Sequence, residues 1–158
     1  MSLAEKLHFT PLLNSANTGA GVDCASVNMK GAHAATIYMS NGATSGSAVL
    51  KIYSGTTSGA KTSAMPFRYK YGGAAIGSAS SDYMSAWTNV VAASGLTLAS
   101  ATFSSKAIVI EVDASDMDIA NGEEYLTAEI SSAGTSGITH AVAVLEPRYK
   151  SNRAATVL

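Results

Sequence analysis

The stretch Lys106–Asp113, KAIVIEVD, decides the fold. Ile108, Val109, Ile110 and Val112 are β-branched. Such side chains lose little in a pleated strand and more in a helix. Apolar residues fall on both parities of the run, which suits a strand covered on both faces or nearly so. We read it as a central strand. Ile108, Ile110 and Val112 form one wall of the core, and Ala107, Val109 and Glu111 form the opposite face. If that second face is dry in an assembly, a neighbouring subunit is its cover.

Downstream, Glu123–Ser131 (EEYLTAEIS) alternates, with Leu126, Ala128 and Ile130 on one face and Tyr125, Thr127 and Glu129 on the other. Ile138–Glu146 (ITHAVAVLE) is a second apolar strand, stopped by Pro147. It is the expected antiparallel partner of the Glu123 strand through a turn at Ser132–Gly137. Between Asp113 and Glu123, Asp116 is placed to N-cap a single helical turn that Asn121-Gly122 ends.

Upstream, Leu96–Thr102 and Asp82–Val91 read as strands, the latter holding Trp87, the only tryptophan. Ser63–Tyr71 puts Met65, Phe67, Tyr69 and Tyr71 on one parity. Pro66 cannot donate to a ladder, so this strand is expected at an edge or at a bulge. The aromatic row Phe67, Tyr69, Tyr71 is either core or a binding surface. Ala34–Tyr53 reads as a hairpin around the Asn41–Gly46 loop, because Asn-Gly tolerates positive φ. Val22–Met29 is one more strand. Residues 1–21 read as an N-terminal arm and residues 148–158 as a basic C-terminal tail.

About nine or ten short strands with turn signals and no sustained helical period define an all-β protein. The expected architecture is an antiparallel β-sandwich, jelly-roll-like, with at most one short helical turn. Residues 1–158 form a single domain.

Alanine, serine, threonine and glycine make up about half of the chain. Its hydrophobic fraction is 47% and its net charge −1, which separates it from disordered sequences of low hydrophobicity and high charge. The lack of a basic excess argues against nucleic acid as a partner. No run approaches the ~20 apolar residues of a membrane span, and MSLAEKLHFTPLL lacks the apolar core of a signal peptide. A soluble chain made in a cytoplasm is expected. Cys24 is the single cysteine, so an internal disulfide and a thiolate cluster are both excluded.

No catalytic pattern emerges. His8, His33 and His140 are not at metal-ligand spacing. Asp113, Asp116 and Asp118 lack the glycine and closing glutamate of a calcium loop. Glu111, Glu129 and Glu146 lie on strands and would have to converge across a cleft to act as a glycosidase pair. No nucleophile elbow or phosphate loop is present. The expectation is a non-enzymatic protein with no catalytic, metal or cofactor-binding residue.

Several segments resemble small structural proteins encoded in tailed-phage genomes near the capsid genes. They are VNMKGAHAATIYMS (27–40) with VLKIYSG (49–55), PFRYKYGG (66–73), KAIVIEVDASDM (106–117) and AVAVLEPRYKSN (141–152). The resemblance spans Val27 to Asn152. It implies a virion protein of the capsid decoration, or cement, type: a small β-sandwich, often a homotrimer, seated on the outer head surface and stabilising the shell. The partner would be the phage major capsid protein. The resemblance carries over no site residue. The alternatives are a sugar- or receptor-binding β-sandwich of the virion, resting on Trp87 and the aromatic row, or another head–tail component.

Overall fold

The computed structural model describes residues 7–132 and 137–148. Lys106–Asp113 supplies strand β10, Ala107–Asp113, an interior strand of one sheet. The other strands are β1 (His8–Asn17), β2 (Val22–Asp23), β3 (Val27–Asn28), β4 (Ala32–Asn41), β5 (Ser47–Gly55), β6 (Ser63–Met65), β7 (Phe67–Tyr71), β8 (Thr88–Val90), β9 (Leu96–Ala99), β11 (Tyr125–Ile130) and β12 (Ile138–Pro147). One helical turn, α1, spans Ser100–Phe103.

Sheet A has the order β1-β12-β4-β10-β7-β8. Sheet B has the order β2-β11-β5-β6, with β3 also on β11 and β9 also on β5. Every pairing is antiparallel. The wrapping is nested. β1 pairs β12, β2 and β3 pair β11, β4 pairs β10, and β5 pairs β6 and β9. A long hairpin rolled over into two layers in this way is a jelly roll. The β7–β8 hairpin widens sheet A beyond that plan.

The core lies between the sheets. β10 contributes Ile108, Ile110 and Val112, all fully buried. Beside them in register stand Met39, Ile37 and Ala35 of β4, and then Ala141, Ala143 and Leu145 of β12. Leu50 and Ile52 of β5 and Leu126, Ala128 and Ile130 of β11 form the facing wall. Each large aliphatic buried here contributes roughly 1.5–3 kcal/mol of transfer free energy. The many alanines let the layers approach closely. Cys24 is part of this core, and burial, with the nearby Asp23 charge adding to it, pushes its thiol pKa up to about 12. A thiol that stays protonated is inert.

Several local expectations are corrected. Ala34–Tyr53 is not a hairpin: β4 lies in sheet A and β5 in sheet B. Asn41 is buried, donates to the Phe103 carbonyl and accepts from Thr139, while Gly42 N–H donates to the Ile138 carbonyl. These bonds fix Asn41-Gly42 to sheet A, and the chain arches across to sheet B. β11 and β12 are likewise not partners; β11 lies in sheet B and β12 in sheet A, each with a buried inner face.

Ser63–Tyr71 is two strands. Lacking an N–H, Pro66 interrupts the ladder, and the chain passes there from β6, an edge of sheet B, to β7, an interior strand of sheet A. Val22–Met29 forms only the short pairs β2 and β3. Within Asp82–Val91 only Thr88–Val90 is a strand, with an isolated bridge at Met84.

Leu96–Thr102 ends early, because α1 begins at Ser100. Asp116 caps nothing; Asp113 and Asp118 N-cap two separate 3-10 turns, and Gly122 ends the second at φ 77°. Residues 8–17, read as part of an arm, form the edge strand β1. Arg148 N–H donates to the Gly31 carbonyl. Residues 1–6, 133–136 and 149–158 lie outside the described residues, and with them the start of the arm, the middle of the Ser132–Gly137 turn and the tail beyond Arg148.

Candidate interaction face

The outward faces of the two sheets differ in kind. On sheet B, Glu129 stands in register with Lys51 on one side and Asp23 on the other. Lys61 reaches over this row and binds both acids, at 2.7 Å from Glu129 Oε1 and 3.1 Å from Asp23 Oδ1. The Lys61 hydrogen bond holds the Glu129 carboxyl below its usual range, helped by Tyr53, and Glu129 in turn raises Lys61. Thr127 also points outward yet is fully buried. The 56–61 loop covers it: Thr127 bonds Ser26 Oγ at 2.7 Å, and Gly59 N–H donates to the same oxygen.

Sheet A has no such cover among the described residues. Its outward positions line up across five strands. One row runs Pro11–Val142–Tyr38–Val109–Lys70. The next runs Phe9–Val144–Thr36–Glu111–Arg68. Outward positions of a half-solvated sheet are ordinarily polar. Here Phe9 is 49% exposed and Tyr38 45%, with Pro11, Val142, Val144 and Val109 between and beside them. The apolar side chains are contiguous, so they form a patch and not scattered single residues.

The patch ends at β7 in a charged flank. Arg68 pairs with Glu111, and the Arg68 and Lys70 head groups lie 4.8 and 4.9 Å from the Trp87 ring centre. Trp87 reaches this place through a bulge. The β7–β8 register slips by one residue between Tyr69↔Thr88 and Gly72↔Met84, leaving Ala86 and Trp87 opposite Lys70. Below the flank an open groove of about 470 Å³ is lined by Phe67, Arg68, Asn89, Val91, Glu111, Asp113 and Asp116, among others. The Ser115 backbone N–H holds the Asp113 carboxyl below its usual range.

The aromatic row turns inward. Phe67 is buried, and Tyr69 and Tyr71 pack half-buried on the core, with Tyr71 edge-on to Phe103 at 5.1 Å. The sugar-binding alternative keeps only Trp87, whose ring already carries two cations. Glu111, Glu129 and Glu146 do not converge. Glu111 and Glu146 lie on the outward side of sheet A, and Glu129 lies on the outward side of sheet B.

Folding brings Ser15, at φ 47°, next to His140, but Oγ sits 3.1 Å from Nε2 and 3.5 Å from Nδ1, across the ring edge. No carboxylate backs that imidazole among the described residues. Nor does any group of three or more His, Cys, Asp or Glu there come together to hold a metal ion. No described helix is long and apolar enough to cross a membrane.

The outward patch was only partly visible in sequence. Val109 on the second parity of the central strand is its trace. Phe9, Pro11, Tyr38, Val142 and Val144 needed the strand order. The available signal was the apolar content of both parities in ITHAVAVLE. Comparison of the chain with protein-family models, curated proteins and solved structures gives no match.

Proposed function

We propose that this protein is a non-enzymatic structural component of a tailed-phage virion: a capsid decoration protein that seats the outward face of sheet A on the head and stabilises the shell. The observation that carries the reading is the contrast between the two outer faces. Sheet B is closed by a loop and an ion-pair clip, whereas sheet A presents an uncovered apolar row ending in a Trp87–Arg68–Lys70 flank. An exposed apolar patch rimmed by polar groups is the mark of a protein contact.

The segments that resemble phage structural proteins supply the partner, the major capsid protein. The jelly roll is a fold common among capsid and lectin domains, which fits the reading without deciding it. Copies arranged by the shell's symmetry, as trimers, would multiply a modest single contact through avidity.

The test is direct. Heads of the phage that encodes the chain are prepared with and without the protein, then challenged by heat or chelator. Decorated heads should survive longer, and electron microscopy should show bound copies on the outer surface. Equal survival with no bound copies overturns the proposal.

A further inference from the structure

At one end of the sandwich the chain repeatedly crosses between the sheets. There the turn after β1, the arch from β4 to β5 and the start of β12 converge on a small, partly open space. Its polar lining is Thr18, Asn41, Thr44 and Thr139, and its apolar floor comes from β5, β9 and β11. Thr18 and Asn41 are 5% exposed and Thr139 1%. The space measures about 10 Å³, counted as room for the centre of a water-sized sphere. That is room for one water, which also needs two to four polar partners.

The hydrogen bonds around the space leave those partners available. Asn41 Nδ2 donates one hydrogen to the Phe103 carbonyl at 3.0 Å, and Asn41 Oδ1 accepts from Thr139 Oγ1 at 3.1 Å. Thr18 Oγ1 donates to the Gly137 carbonyl at 3.2 Å. The second Asn41 amide hydrogen has no acceptor among the described residues. The hydroxyls of Thr18 and Thr139 have each spent their proton and keep acceptor capacity. Buried polar groups of this kind are satisfied by protein or by ordered water, because leaving them unpaired forfeits their hydration.

We propose that this space binds a single ordered water. The water accepts from Asn41 Nδ2 and donates to the hydroxyls of Thr18 and Thr139. It thereby joins the end of β4, the start of β12 and the turn after β1 at the point where the sheets exchange strands. Larger ligands are excluded by size. The inference is independent of what the outer face of sheet A binds.

A high-resolution crystal structure of the full chain tests it. One density peak is expected within hydrogen-bond distance of Asn41 Nδ2 and of at least one of the two threonine hydroxyls. A featureless space overturns the proposal.

Discussion

Tyr38 of β4 and Val109 of β10 are direct cross-strand partners, and both turn away from the core. Their inward neighbours, Ile37 and Ile110, are also partners and are fully buried. The same two strands therefore build the driest part of the core on one side and an uncovered apolar row on the other. The row extends to Val142 and Pro11, with Phe9 and Val144 alongside.

The inward side sets stability. Replacing Ile110 by alanine removes buried methyl groups from the centre of sheet A. It should destabilise the protein by about 2–5 kcal/mol, read from the urea unfolding midpoint at constant m-value. Val109→Ala, on the same strand but half-buried, should cost clearly less. Equal losses would contradict the assignment of faces.

Gly95, in the turn before β9, holds φ 67°, and a Cβ there would lie 2.6 Å from the Leu50 carbonyl oxygen. Gly59 has a similar φ of 83° with nothing within 4 Å. Both alanine variants pay for the left-handed backbone, at about 1–2 kcal/mol. Gly95→Ala must also displace the β5 backbone, so its loss should exceed that of Gly59→Ala in the same urea titration.

Glu123 is 4% exposed and accepts hydrogen bonds from Ser54 Oγ and Ser63 Oγ. These tie the start of β11 to β5 and β6. Ser54→Ala leaves a buried carboxyl oxygen without its donor and should cost about 1–3 kcal/mol. Thermal unfolding followed by circular dichroism measures it, and an unchanged midpoint would contradict the tie.

Acid should weaken the fold. The carboxyls of Glu129 and Asp113 titrate lower in the folded protein than their ordinary values of 4.5 and 3.8. A depressed folded value favours the folded state above the ordinary value, and the contribution disappears as pH falls through the folded one. Lys61 is raised, so its share is present at neutral pH and is lost only as strongly alkaline pH passes its folded value. The melting temperature should therefore drop below about pH 4.5. Glu129→Gln should flatten that drop, and an identical pH profile for the variant would refute the clip.

The sandwich was legible because its signal is local. KAIVIEVD, EEYLTAEIS and ITHAVAVLE carry their strand periods in themselves, and their inward residues are the observed core. The pairing was not legible, because it depends on which sheet each strand joins. Asn41-Gly42 looked like a hairpin turn, yet buried hydrogen bonds to Phe103, Thr139 and Ile138 overrode its turn chemistry. Pro66 suggested an edge or a bulge on one strand, whereas Ser63–Tyr71 is broken there into two strands and the chain changes layers. The outward patch draws Phe9 and Val142 from opposite ends of the chain. No sequence window contains both.

Charge at the flank should tune association. Lys70 and Arg68 stack on Trp87 at the rim of the patch. Lys70→Glu should slow binding to phage heads and alter its salt dependence, with little effect on stability, since rim charges act mainly on association rate. Binding kinetics at two ionic strengths measure this, and indifference to both salt and Lys70→Glu would remove the flank from the contact.

The decisive measurement is co-sedimentation of the Tyr38→Glu variant with tailed-phage heads, the partner we propose, beside the wild type. Tyr38 is 45% exposed, so the substitution leaves the core intact and places a carboxylate in the middle of the apolar row. The variant should melt within a few degrees of the wild type yet fail to sediment with heads that the wild type saturates. A folded variant that decorates heads as fully as the wild type would contradict docking through sheet A. A wild type that never binds heads would contradict the decoration role itself.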